Sequence, residues 1–184
     1  MNKKQKQVIT AADLIEVLRE RQNGYPISPL VVVEPVEIKK EKCNDFRSLQ
    51  VDEVTFAGPV TIEGFSHQPS FVISSRASIF RGGLVLENNS GSRIDFLGGF
   101  AKFLYFQDKN QFGVVSLCGL TIKQKLGLSG LQLRDNLRVE DTAFSELELC
   151  SHQSSENITV PKVITNNPWV TNDFRLAMVP VFRL

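Results

Sequence analysis

Residues 126–149 read LGLSGLQLRDNLRVEDTAFSELEL, and the spacing of their apolar residues decides the fold. Leu126 and Leu128, Leu131 and Leu133, Leu137 and Val139, and Leu147 and Leu149 stand in pairs two apart. That spacing puts both members of a pair on one face of an extended strand. The pairs recur about every five residues, too soon for an ordinary strand followed by a hairpin. Carried back to Val115, the chain divides into VSLCG, LTIKQ, LGLSG, LQLRD, LRVED, TAFSE and LELCS, with Lys125 and Asn136 as single insertions. In every unit the first and third positions are apolar or small, and the others are mostly polar or Gly. A unit with two inward side chains is one short side of a polygonal coil. Four sides make a turn of about 20 residues, and stacked turns bury a continuous core that no single turn covers alone.

These units resemble the pentapeptide-repeat family. LGLSG at 126–130 matches the pattern at its third, fourth and fifth positions, and TAFSE at 142–146 at its first, third and fourth. The resemblance spans 115–149 closely and 54–114 in degenerate form. It implies a right-handed quadrilateral parallel β-helix. The chain departs from the family pattern at its first positions. Leu120, Leu126, Leu131, Leu137 and Leu147 stand where the family prefers a small residue. Bulk at these sites points to a wider or a triangular cross-section. VTFAGPVTIEG at 54–64 is similar to a bactofilin repeat. The expected fold is therefore mainly β, a right-handed parallel β-helix with a short N-terminal helix. An antiparallel β-sandwich or jelly roll is the alternative.

Upstream of the clear units the same alternation continues in short bursts, among them Val54/Phe56, Val60/Ile62, Leu84/Leu86, Ile94/Phe96 and Leu104/Phe106, punctuated by glycines. Taken as turns of about 20 residues stacked about 4.8 Å apart, 54–149 make roughly five turns. Thr10 reads as a helix N-cap with Asp13 at its reciprocal position, followed by Leu14, Ile15, Val17 and Leu18 on one side of a short helix. ISPLVVVEPVEI at 27–38, interrupted by Pro29 and Pro35, reads as an extended edge segment. The expected organisation is a helix and capping segment over 1–50, the β-helix over 51–150, and a capping or association tail over 151–184.

The chain of 184 residues carries a formal charge of +1, so no global field draws it to nucleic acid or an anionic membrane. Charge is uneven locally: residues 71–133 hold seven Lys/Arg and three Asp/Glu, and residues 134–149 hold two and five. Three scattered cysteines, Cys43, Cys118 and Cys150, argue against a disulfide framework and for a reducing, cytoplasmic setting. No run is long enough to span a membrane.

No reactive constellation stands out. Cys150 and His152 are two soft ligands, and Cys43, Cys118 and His67 are scattered, so neither a metal nor a cofactor is expected. Asp135, Glu140, Asp141, Glu146 and Glu148 fall at outward positions, where carboxylates one turn apart stack. That is the arrangement a carbohydrate-acting β-helix enzyme needs. Arg76, Arg81, Arg93, Lys102, Lys109, Lys123 and Lys125 surround Phe103, Tyr105 and Phe106. The alternation is taken to turn most of these rings inward, so nucleic acid is not an expected partner. Trp169, Phe174 and Phe182 lie in the apolar tail and are the candidate interaction residues. The expected function is a non-catalytic scaffold, adaptor or self-assembling module that binds a protein or its own copy. A carbohydrate-acting enzyme is the alternative.

Overall fold

The structure is a computed structural model that describes residues 6–22, 29–66, 69–148 and 163–165. β1 (Gln7–Ile9) leads into α1 (Ala11–Arg21), and the strands then follow in turns. The first turn is β2 (Leu30–Val32), β3 (Val36–Lys39) and β4 (Ser48–Gln50). The second is β5 (Val54–Phe56), β6 (Val60–Glu63) and the first half of β7 (Val72–Phe80). β8 (Leu84–Glu87), β9 (Ser90–Ala101), β10 (Leu104–Gln107), β11 (Asn110–Cys118) and β12 (Thr121–Gly127) continue the winding. β13 (Leu131–Glu140), β14 (Ala143–Glu148) and β15 (Val163–Thr165) complete it. All fifteen described strands belong to one parallel sheet, so the molecule is a β-solenoid and not a sandwich.

The core consists of side-chain stacks, one residue per turn. Ile9, Val32, Phe56, Phe80, Ala101, Ile122 and Phe144 are register partners in succession. Ile38, Ile62, Leu86 and Phe106 form a second stack. Gly91, Phe112 and Leu133 form a third, and Ser75, Phe96, Leu117 and Val139 a fourth. From Ser75 to Ile122 these residues return every five or six positions, as the five-residue reading requires. Large and small residues complement one another within the core. Phe80 meets Phe96 edge-on, with centroids 6.5 Å apart. At Gly91 an added Cβ would lie 2.3 Å from the Phe71 carbonyl oxygen, so only glycine fits between these turns.

The coil starts earlier than residue 51. β2 lies between β1 and β5, so the stretch read as an edge segment contains an inner rung. β3 pairs with β6 alone and is a true edge among the described residues. Pro29 and Pro35 precede these strands, where no ladder donor is lost. The early turns are also longer than expected. Val36, Val60 and Leu84 recur at intervals of 24 residues, whereas Leu84, Leu104 and Leu126 recur at 20 and 22. The second turn spends its extra residues between β6 and β7, where Phe65 and Phe71 stack with centroids 4.7 Å apart.

One corner repeats on every turn. Glu53, Ala77, Gly98, Gly119 and Asp141 occupy equivalent places with φ of 54°, 52°, 67°, 65° and 46°. The chain must turn there through a left-handed residue, and glycine is only the cheapest choice. Beside this corner Ser78 and Thr142 play the same part. Ser78 Oγ donates to the Val51 carbonyl and accepts from Val54 N–H. Thr142 Oγ1 donates to the Leu117 carbonyl and accepts from Leu120 N–H. Another corner is braced by two fully buried asparagines. Asn89 Nδ2 donates to the Ile62 carbonyl at 2.9 Å and to Asn110 Oδ1 at 3.2 Å, and its Oδ1 accepts from Phe65 N–H. Asn110 Nδ2 donates to the Leu86 carbonyl at 2.9 Å.

α1 lies across the first turn. Its N-cap forms as the sequence predicts, with Thr10 and Asp13 bonding reciprocally. Leu14 and Leu18 are fully buried in the coil's core. Arg21 donates to the Asp52 carbonyl at 2.8 Å, and Arg19 pairs with Asp45 at 2.8 Å. A short helix is marginal alone; this one is held by covering the N-terminal end of the solenoid. No helix among the described residues is long and apolar enough to cross a membrane.

Candidate functional site

The two ends of the coil differ. At the N-terminal end the stacks finish beneath α1. At the other end Val139 and Leu137 stay buried beside β15, whereas Leu131, Leu133, Phe144 and Leu147 are half-buried against the core. Their partners one turn earlier, Phe112, Ile122 and Leu126, are no more than 1% exposed. At these positions burial therefore drops within one turn, while the residue types stay apolar. β14 pairs only with β12, and β15 only with β13, so each presents a free edge among the described strands. A solenoid end of this kind combines open backbone donors and acceptors with apolar side chains. Leu117, Ile122 and Leu128 are buried as expected, Leu133 and Phe144 are half-buried, and Leu149 lies outside the described residues. The predicted interaction residues Trp169, Phe174 and Phe182 also lie outside them.

The predicted outward carboxylates are solvated or ion-paired. Asp135 and Asp141 are exposed. Glu140 meets Arg138 at 2.7 Å, and Lys125 meets Glu146 at 3.2 Å and Glu148 at 2.5 Å. The two glutamates hold the Lys125 ammonium well above its ordinary pKa, through hydrogen bonds first and charge second. A different carboxylate group is closer to chemistry. A side-chain hydrogen bond to Asp108 raises the Glu87 pKa, with partial burial and the charges of Asp108 and Glu63 adding to it. Hydrogen-bonded oxygens stand about 3 Å apart, whereas glycosidase carboxyls stand roughly 5–10 Å apart to hold a sugar between them. Glu87 and Asp108 are in direct side-chain contact at the surface and lack that spacing.

Cys43 is buried, and desolvation raises its thiol pKa, which leaves it a poor nucleophile. Cys118 faces outward, 3.3 Å from Ser116 Oγ. Among the described residues no group of three or more His, Cys, Asp or Glu is placed to hold a metal ion. Cys150, His67 and His152 lie outside the described residues.

The basic middle corrects one expectation. Phe106 is inward and fully buried, but Phe103 and Tyr105 point outward and are only half-buried. Their rings stack on each other with centroids 4.8 Å apart. The physical reason is the Leu104/Phe106 pair: once those two side chains enter the core, the residues between and before them must face out. Glycines make room for the rings. A Cβ at Gly83 would lie 2.3 Å from Phe103 Cζ, and one at Gly127 2.5 Å from Tyr105 Cδ1. Sequence reasoning missed this ladder, although the spacing of Gly83 and Gly127 from the two rings is visible in the register. No family model matches the chain, and neither a curated protein nor a solved structure shows significant similarity to it.

Proposed function

We propose that the protein is a non-catalytic scaffold that holds a protein partner, or a second copy of itself, at the C-terminal end of its coil. The observation that carries this reading is the asymmetry of the ends. α1 covers one end, while Leu131, Leu133, Phe144 and Leu147 remain half-buried at the other. α1 covers apolar side chains at its own end, so the half-buried apolar residues at the other end are the ones offered to a partner, and joining two such ends gives a closed pair. Trp169, Phe174 and Phe182 of the apolar tail are proposed to share this association surface. Kinship with pentapeptide-repeat proteins is part of the same proposal, supported by the five-residue spacing of the core stacks. Leu120, Leu126 and Leu137 at first positions are nevertheless fully buried, which gives this core more bulk than the family pattern implies. The carbohydrate-enzyme reading has weaker support, because the carboxylates it would use are solvated or ion-paired to Lys125 and Arg138.

Light scattering on the full chain and on a chain lacking residues 160–184 tests the proposal. Without the tail, the apolar end and the β13 and β14 edges lose their cover or their partner, so aggregation or higher-order assembly is expected. A truncated chain that stays monodisperse at the same oligomeric state, with unchanged melting, overturns it.

A further inference from the structure

The face built on Ile9, Val32, Phe56, Phe80, Ala101, Ile122 and Phe144 carries two outward columns. The residues that precede these core positions are Val8, Val31, Thr55, Ile79, Phe100, Thr121 and Ala143. From Val32 on, the residues that follow them are Val33, Ala57, Arg81, Lys102, Lys123 and Ser145. Neither column contains an Asp or Glu. One is largely apolar, and the other becomes cationic over three successive turns. Val8 and Val33 are 65% and 61% exposed, the highest values among the large hydrophobic residues described. Ile79 and Phe100 are half-buried, and Arg81, Lys102 and Lys123 are exposed. None of these three cations forms an ion pair among the described residues. On other faces Lys39, Arg93, Lys125 and Arg138 are each paired with a carboxylate.

Adjacent turns lie about 4.8 Å apart, so three like charges share a row on the order of 10 Å long. Such a row repels itself and gains from an anionic partner. A second copy opposes cations to cations on this face. A single-stranded nucleic acid gains mainly from aromatic ring faces, but the neighbouring Phe103 and Tyr105 rings cover each other and are flanked by Gly83 and Gly127. The exposed aliphatic groups gain only where the partner offers hydrocarbon. We infer that this flat face docks on an anionic lipid bilayer. Val8, Val33, Ile79 and Phe100 meet the headgroup–acyl boundary, and Arg81, Lys102 and Lys123 meet acidic headgroups.

Co-sedimentation of the full chain with vesicles decides the matter. Binding is expected to vesicles of phosphatidylcholine mixed with phosphatidylserine, not to phosphatidylcholine alone, and to weaken with salt. Lys102→Gln with Lys123→Gln should weaken it roughly 25-fold, about fivefold for each cation lost. Lys42→Gln with Lys109→Gln removes the same charge from other faces and should change it little. Val33→Ser should weaken binding without altering its salt dependence. Circular dichroism of each variant verifies that it is folded. Lys102→Gln with Lys123→Gln should leave the oligomeric state in light scattering unchanged while vesicle binding falls, which separates this face from the association end. Equal loss in both lysine pairs, no binding to either vesicle, or preferential binding to a single-stranded oligonucleotide in fluorescence polarisation overturns the inference.

Discussion

Leu117→Asp is expected to leave the chain unfolded, with loss of the β signal in far-ultraviolet circular dichroism and no cooperative melting. Leu117 is 0% exposed and stacks between Phe96 and Val139 on the neighbouring turns. A carboxylate there has no cation to meet, and burying it unpaired costs several kcal/mol even after relaxation. The lost packing of a buried leucine adds about 2–5 kcal/mol. Domains are stable by only about 5–15 kcal/mol, so the two costs together consume most or all of that margin. A folded Leu117→Asp protein with a melting temperature close to that of the parent contradicts the inward register of β11. The same change at Leu133 is expected to be milder, because Leu133 is half-buried and its charge can reach water past the last turn.

Asn89→Ala is the second large effect, expected at about 3 kcal/mol by denaturant unfolding. The side chain is fully buried and makes three hydrogen bonds, to the Ile62 carbonyl, to Asn110 Oδ1 and from Phe65 N–H. Alanine removes all three: Phe65 N–H loses its side-chain acceptor, the Ile62 carbonyl loses a donor, and Asn110 Oδ1 keeps only the backbone N–H of residue 89. The penalty comes from those groups more than from the bonds themselves, since a buried unsatisfied donor or acceptor costs about 1–3 kcal/mol. A loss under about 0.5 kcal/mol, the level of an ordinary surface change, shows that the corner does not depend on this brace.

These two residues mark what the sequence discloses. Leu117 belongs to the run from Val115 onward, where apolar pairs return on a five-residue beat with few insertions. That beat has one physical cause, a short side with two inward residues, and it is read directly. Asn89 sits beside Asn88 and Ser90, a polar cluster that signals a turn equally well in any fold. Only the stacked turns reveal that its amide replaces ladder partners at a buried corner. The first turns were obscure for a related reason. The 24-residue intervals there come from added segments, around Cys43 and Phe46 in the first turn and around Phe65 and Phe71 in the second, whose side chains pack inward at no fixed alternation. Tyr105 is a different case. The Leu104/Phe106 pair already required it to face outward, so the information was present and the aromatic character of the neighbours masked it. Of the candidate association end, the sequence showed the apolar residue types but not the fall in burial at Phe144 and Leu147. That fall depends on where the last turn stops.

The ends, the columns and the cation row all follow from which residues lie one turn apart. Thr61 and Val85 are register partners on β6 and β8, both outward-facing and half-buried. Their backbones lie about 4.8 Å apart, within the range a disulfide spans. Tyr105 is the partner of Val85 one turn further on, about 10 Å from Thr61 and out of disulfide reach. Peptide mapping after mild oxidation should therefore find an intramolecular bridge in Thr61→Cys/Val85→Cys and none in Thr61→Cys/Tyr105→Cys. A bridge in the second pair but not the first, or in neither, contradicts the stacked parallel coil.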